Sequence, residues 1–364
     1  MKATKIIASR SRDRSKMLGP LIGTLSNFWA WIFLLILVAF FSISGPGFFD
    51  IFNFQSIGAD MSLVLIMALG QTFVIIAGGI DLSTGYVMGL ASVAASVAMT
   101  HLSPGTPLAV VVLVGLVVGV FAGLIPGLLN GILIARLRVP PFIVTLGMLG
   151  IARGAGFILS GGQPVSVNIE GLGQLGNGYL AYYLPNVGLS FFNLPQNLQG
   201  VRLRDIVGIL PHPLTIMVLL VFICHWLLTQ TRFGQHAYAI GGNREASLRA
   251  GISVVRHTIA VYLLSALLAS IAGVLYTLRF SNGAANAGDA LLLDSIAAVV
   301  IGGASLFGGE GTIVGTLIGA LIIAVIQNGL VIIAVDPFWQ FIVVGSVIIL
   351  AVLIDQARAQ VISR

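Results

Sequence analysis

Long apolar runs, broken at intervals by glycine, proline and short polar segments, constrain this chain more than any other feature. A run of about 17 or more apolar residues is long enough to cross the hydrocarbon core of a bilayer as a helix. Such runs fall near 28–44, 61–78, 82–100, 107–135, 141–160, 213–229, 257–280, 294–308, 312–333 and 338–355. The run at 294–308 is short, which fits half of a broken helix. Charged residues make up only 8% of the 364, against 57% hydrophobic ones. That is too few to solvate a globule, since soluble domains carry about a quarter charged residues. The fold expected is therefore an all-α, polytopic transmembrane helical bundle of about ten spans, with one or more broken or short helices.

Charge placement orients it. Lys2, Lys5, Arg10, Arg12, Arg14 and Lys16 precede the first run, and no small-residue cleavage site follows, so the run reads as a retained anchor rather than a signal peptide. With the N-terminus in the cytoplasm, the inner segments also receive Arg136, Arg138, Arg232, Arg244, Arg249, Arg256, Arg358 and Arg364. That makes fourteen of the eighteen basic residues, the bias expected of cytoplasmic loops. Arg202, Arg204 and Arg279 fall outside, and Arg153 lies within a span. Three regions follow: a basic cytoplasmic tail (1–27), a membrane domain (28–355) and a cytoplasmic C-terminal tail (356–364). Both termini share one side. The pI of about 9.8 is topology, not nucleic-acid binding.

Two polar segments interrupt the membrane domain. The outer one, about 161–212, is rich in Gly, Asn and Pro and holds short amphipathic stretches such as Leu203–Leu210. The inner one, about 230–256, is the only long internal cytoplasmic loop and the natural docking point for a cytoplasmic partner. Within 107–135, Gly115, Gly119, Gly123, Gly127 and Gly131 recur every fourth residue. Such small-residue ridges let helix backbones approach closely in lipid. Four residues overshoot one turn by about 40°, so the ridge winds and meets more than one neighbour. Static packing and a moving interface both fit it. Pro126 is expected to kink that span.

Several chemistries are excluded. There is no Gly-x-x-x-x-Gly-Lys-[Ser/Thr] run and no lysine after Lys16, so no P-loop or Schiff-base lysine is available. His101, His212, His225, His236 and His257 are scattered, so no metal site is expected, and Cys224 stands alone. No cofactor and no catalytic residue is implied. The candidates that remain concern passage. Ala77-Gly-Gly-Ile-Asp-Leu-Ser-Thr-Gly85 interrupts an apolar stretch that as one helix would span about 58 Å, twice a bilayer core. The chain must break there. Gly78 and Gly79 permit the turn, and Asp81 or Ser83 can cap the next helix. A structural cap and a gate in the pathway are both open, since broken helices are where transporters expose backbone. A similar glycine pattern recurs at Gly302-Gly303 and Gly308-Gly309. Gln71, Asn130, Gln327 and Asn328 need partners in lipid, as interhelical ties or as pathway lining. Arg153 needs a carboxylate or several carbonyls.

Four blocks then resemble one family: GQTFVIIAGGIDLSTG (70–85), NGILIARLRVPPFIVTLGML (130–149), IGGNREASLRAGI (240–252) and LDSIAAVVIGGASLFGGEGTIVGTLIGALI (293–322). Together they resemble ribose-type sugar ABC importer permeases, from about residue 55 to the C-terminus. The outer segment is longer than usual for that family. The resemblance implies a permease in a bacterial inner membrane that translocates a sugar or polyol. It implies a separate ABC ATPase subunit on the cytoplasmic side, a periplasmic or surface-tethered binding protein, and a second permease copy or paralogue. Gly241, Asn243, Arg244, Glu245, Ala246 and Gly251 match its coupling loop. The residues themselves agree, because they spell a short helix from about Arg244 that stops at Gly251. Pathway or gate residues would be Gln71, Gly78, Gly79, Asp81, Ser83, Asn130, Arg153 and Asn328. The alternatives are a related permease for branched-chain amino acids or nucleosides and, in another class, an ion-coupled secondary transporter. The last needs an acidic or histidine relay along a span, and none is evident.

Overall fold

A computed structural model of the chain describes residues 29–185, 188–192 and 206–362. The basic N-terminal tail, Arg202, Arg204 and Arg364 lie outside the described residues. The apolar runs form helices α1 (Trp29–Ser44), α2 (Ile51–Ile76), α3 (Thr84–Thr100), α4 (Leu108–Ala135) and α5 (Pro141–Ser160). After the outer segment come α7 (His212–Gln230), α10 (Val254–Phe280), α11 (Asp289–Ile301), α12 (Ile313–Ile332) and α13 (Pro337–Ile362). Short α6 (Leu172–Asn177) lies in the outer segment, and α8 (Arg232–Gly242) and α9 (Arg244–Arg249) form the inner loop. Six of these helices are long and apolar enough to cross a membrane. The chain is a multi-pass membrane bundle.

Local chemistry sets the ends. Asp50 caps α2, its carboxylate accepting from the Phe52 N–H at 2.8 Å, so the helix begins ten residues before the expected 61. The apolar-run rule missed the first turns because Asn53, Gln55, Ser56 and Asp60 interrupt the hydropathy there. Thr312 caps α12 through Gly315 N–H at 2.9 Å. Proline occupies the first turn of α5, where its missing donor costs nothing. The short run expected at 294–308 is a 13-residue helix followed by a loop. At 1.5 Å per residue it spans about 20 Å, short of a bilayer core.

The outer segment holds strands that the hydropathy pattern hid. β2 (Tyr179–Leu184) lies between β3 (Gly188–Phe191) and β4 (Val207–Pro211), all antiparallel. The described part of the expected 203–210 stretch is therefore a strand. A two-residue pair joins β1 (Val165–Ser166) to β5 (Asn282–Gly283), tying the chain after α5 to the loop after α10.

Helix α2 is the axis of the bundle, with every residue from Met61 to Ile76 buried. It packs against α10, α11, α12 and α7. The glycine ridge of α4 is buried and does meet two neighbours. Gly115 sits on Met99 of α3, while Gly127 and Gly131 sit on Ala266 and Ile259 of α10. Phe121, Ile158 and Phe222 are more than 60% exposed on the outer faces of α4, α5 and α7, as a lipid-facing surface requires. Lipid tails are as apolar as leucine, so association here rests on close packing rather than on exclusion of water.

A Cβ on Gly131 would lie 2.8 Å from the Ile259 Cα, a backbone atom that cannot swing aside. Gly131→Ala should force α4 from α10 and cost about 1–3 kcal/mol, the range for overpacking. Gly147→Ala, with nothing within 4 Å of the new carbon, is the control. Thermal unfolding in nanodiscs should show a drop for the first alone; equal midpoints would contradict the packing role of the ridge.

Candidate functional site

The break between α2 and α3 is a closed polar knot. Helix α2 ends in a left-handed glycine cap: Gly78 has φ +80°, its N–H donates to Ile75 O at 2.9 Å, and the Gly79 N–H donates to Val74 O at 2.9 Å. A residue with a Cβ resists that conformation. Asp81 is 1% exposed. Its Oδ1 accepts from the Ser83 N–H at 3.0 Å and the Ser83 hydroxyl at 2.6 Å, and its Oδ2 accepts from Ser265 of α10 at 3.0 Å. This corrects the expected cap. Ser83 makes no side-chain cap bond, and Asp81 closes the turn ahead of α3 instead of the first helical N–H groups. The carboxylate ties the break to α10.

Amides from two more helices converge on the knot. Gln71 Nε2 donates to Asp81 O and to Thr84 Oγ1, and Asn130 Nδ2 of α4 donates to Ser83 Oγ at 2.9 Å. So Gln71, Asp81, Ser83 and Asn130 form one cluster. Gln71 Oε1, Asn130 Oδ1 and the Tyr262 hydroxyl beside it are buried without a partner. Buried polar atoms in native proteins nearly always have partners, so these three are the unsatisfied atoms of an otherwise bonded cluster.

Arg153 is elsewhere. It is exposed on α5, and its guanidinium lies over the rings of Tyr86 at 5.4 Å and Phe157 at 5.9 Å, not against the carboxylate or carbonyls expected. Asn328 is also apart, at the other end of the bundle, where its Nδ2 donates to Asn53 Oδ1 at 2.9 Å. Its neighbour Gln327 donates to Asp294 Oδ2 at 2.9 Å.

The inner loop has the expected short helix and an additional one. Asn243 caps α9, its side chain accepting from Ala246 N–H at 2.9 Å. Glu245 stands in the first turn and Arg249 in the last, each complementing the helix dipole. Their ion pair, at 3.9 Å and fully solvated, adds little. Gly251 has φ +83°, and the bonds Gly251 N→Leu248 O and Ile252 N→Ser247 O complete the same left-handed cap that ends α2. Ser247 is buried, whereas Leu248 is half exposed. The preceding α8 was not expected; its short amphipathic run is masked by charged and glycine residues.

The second glycine run completes the picture. Helix α11 also ends in this cap, with Gly303 at φ +84° and bonds Gly303 N→Val300 O and Ala304 N→Val299 O. The loop that follows folds onto the first break: Gly309 N–H donates to Ile76 O at 2.8 Å. A Cβ on Gly241 would lie 1.8 Å from Ile76 O and 2.6 Å from Gly309 N. One on Gly308 would lie 2.9 Å from the Gly78 Cα and 3.0 Å from Gly241 O. Three chain segments thus touch backbone to backbone at Gly78, Gly241 and Gly308–Gly309. Tyr238 of α8 reinforces the contact, donating to Gly311 O at 2.6 Å; burial pushes its phenol up from its ordinary value, so it stays a donor. The sequence signalled the glycines but not their meeting. Nor did it signal Ser265, because a hydroxyl in an apolar helix can bond its own preceding turn, as Ser270 does to Ala266 O.

The family described as branched-chain amino acid transport system / permease component matches residues 53–352. The chain is 39% identical to the ribose import permease protein RbsC of Bacillus subtilis over 342 residues, 94% of this chain and 93% of that one. It is 38% identical to RbsC of Escherichia coli K12, covering 90% and 92%, and 37% identical to the fructose import permease protein FrcC of Rhizobium meliloti, covering 89% and 83%. No solved structure matches significantly.

Removing the Asp81 carboxylate orphans three buried donors, each worth about 1–3 kcal/mol of desolvation when left unpaired. Asp81→Ala should lower the unfolding midpoint clearly more than Asp81→Asn, which keeps the acceptor facing Ser83. Differential scanning fluorimetry in nanodiscs checks the order; equal losses would contradict the knot.

Proposed function

This chain belongs to the branched-chain amino acid transport system / permease component family, and from that premise we propose that it is the membrane-spanning subunit of a binding-protein-dependent ABC importer for a sugar or polyol. The observation that carries the reading is the backbone contact of Gly241 with Ile76 and Gly309. A loop that docks a cytoplasmic motor is useful only if its displacement reaches the membrane helices. Here the loop abuts the end of α2 and the loop that joins α11 to α12, with no flexible side chain between. Residues 28–355 are the permease domain, flanked by cytoplasmic tails at 1–27 and 356–364, in a bacterial inner membrane.

In this reading Asn243, Arg244, Glu245 and Ala246 present α9 to a separate ATPase subunit, and Gly251 turns the chain back into α10. ATP-driven closure of two ATPase domains moves the loops of two permease copies. Gly78, Gly79, Gln71, Asp81, Ser83 and Asn130 form the gate region that receives the motion. A binding protein delivers the solute outside. The family description mentions branched-chain amino acids, but the relatives above are named for ribose and fructose at 37–39% identity, which supports a sugar.

Proteoliposomes holding the permease with its ATPase test this. Uptake of D-ribose or D-fructose should require ATP and loaded binding protein; uptake driven by a proton gradient alone would overturn the reading, and uptake of leucine would overturn the sugar. A cysteine at Leu248, in a Cys224→Ala background, should crosslink to the ATPase. Gly251→Val forces a β-branched residue to positive φ at about 1–2 kcal/mol. It should lower uptake several-fold while insertion and ATP hydrolysis persist; wild-type uptake would remove Gly251 from the coupling path.

A further inference from the structure

Opposite the gate, at the end of the bundle where Asn328 lies, α2, α10 and α12 line an open cavity of about 480 Å³. That falls within the range of roughly 300–1,000 Å³ typical of small-molecule sites. Its polar wall is made by Asp60, Tyr276, Arg279, Gln327, Asn328 and Gln340. Its apolar wall is made by aliphatic residues of α2 and α12, among them Val64, Ala320 and Ile323.

Three features define what fits. Asp60 and Arg279 are ion-paired, and Arg279 Nη1 also donates to Ala59 O at 2.8 Å, so the only charges on the wall cancel. A neutral solute suits such a wall better than an ion. The Asn328 Oδ1 is buried and accepts nothing, although Asn328 Nδ2 is used by Asn53. Asn328 lines the cleft, and a turn of its amide away from Asn53 would bring that spare acceptor to a ligand hydroxyl. Tyr276 and Phe280 pack ring on ring at 4.7 Å beside it and offer aromatic surface to an apolar C–H face. Paired amides, a phenol and an aromatic edge around a charge-neutral centre are the complement of a polyhydroxylated ring.

We propose that this cavity is a binding site for one neutral sugar or polyol, occupied between release from the binding protein and opening of the gate. The inference rests on the importer reading above and names the place where its solute waits. Deeper along the α2–α12 seam, the aliphatic wall gives way to Thr72 and Thr316, whose hydroxyls bond each other at 2.7 Å. The seam is thus tied by polar pairs at both ends, Asn53 with Asn328 and Thr72 with Thr316. An apolar stretch between them has no group to hold a sugar, so the solute stays in the cavity until the seam parts.

The test uses the assembled transporter in proteoliposomes, with a cysteine at Ala287 on the cavity wall in a Cys224→Ala background. A membrane-impermeant methanethiosulfonate reagent added outside should label it. D-ribose or D-fructose at millimolar concentration, with no binding protein present, should slow labelling several-fold, and leucine should not. Asn328→Ala should abolish protection while the unprotected labelling rate stays the same. Should that variant fail to assemble, Gln340→Ala, whose side chain has no hydrogen bond to another helix among the described residues, should weaken protection. Absence of labelling, or labelling that no sugar slows while ATP-dependent sugar uptake is intact, overturns the site and leaves the importer reading standing. Protection by leucine alone overturns the sugar itself.

Discussion

Breaking a helix within a bilayer exposes peptide groups that lipid cannot solvate, and each must find a partner inside the protein. This chain breaks two of its membrane helices at the same end, after Ile76 and after Ile301, and closes each with a left-handed glycine cap. The caps satisfy most of the freed carbonyls. The Ile76 carbonyl is satisfied by Gly309 N–H, from the loop after the other break. That single bond makes the two breaks one object, and it leaves room only for glycine at Gly241. Coupling loop, first break and second break therefore meet through backbone, the stiffest material a protein has.

The consequence for transport follows from which helices the breaks belong to. Helix α2 carries the first break, and with α12, which follows the loop after the second break, it forms the seam beside the outer cleft; the inner end of α2, that loop and α8 are the parts in contact at the glycine junction. In the proposed importer a displacement of α9 reaches the seam through α8, whose Gly241 makes the contact. The Asp81 knot, tied to α10 through Ser265 and to α4 through Asn130, resists the same displacement. The unpartnered oxygens of Gln71 and Asn130 sit in that knot. A knot with spare acceptors can exchange bonds without leaving a donor bare, which suits an element with two arrangements.

Much of this was legible in the amino-acid order because lipid enforces a simple rule. Ten apolar runs gave ten helices, the 13-residue α11 among them, and the short helix expected from about Arg244 and stopped at Gly251 is α9. What stayed hidden was whatever depends on tertiary partners. The first turns of α2 are polar because Ser56 and Asp60 line the outer cavity while Asn53 and Gln55 bond other segments, so hydropathy lost them. Strand β2 pairs with β3 close by in the chain but with β4 only across a long interval, and the alternation is diluted by glycine and tyrosine. Arg153 found aromatic rings in place of a carboxylate. The meeting of Gly78, Gly241 and Gly308 joins positions some 60 to 230 residues apart in the numbering, and no local pattern reports it.

The glycine junction is open to a direct measurement because two adjacent glycines differ in what surrounds them. A methyl at Gly241 would strike Ile76 O and Gly309 N, while one at Gly242 would meet nothing within 4 Å. The quantity to measure is the number of ATP molecules hydrolysed per solute imported by the reconstituted transporter. The expected result is a several-fold rise, or hydrolysis with no import, for Gly241→Ala, and the wild-type ratio for Gly242→Ala. A wild-type ratio in Gly241→Ala, in protein that inserts and assembles normally, would contradict coupling through the junction.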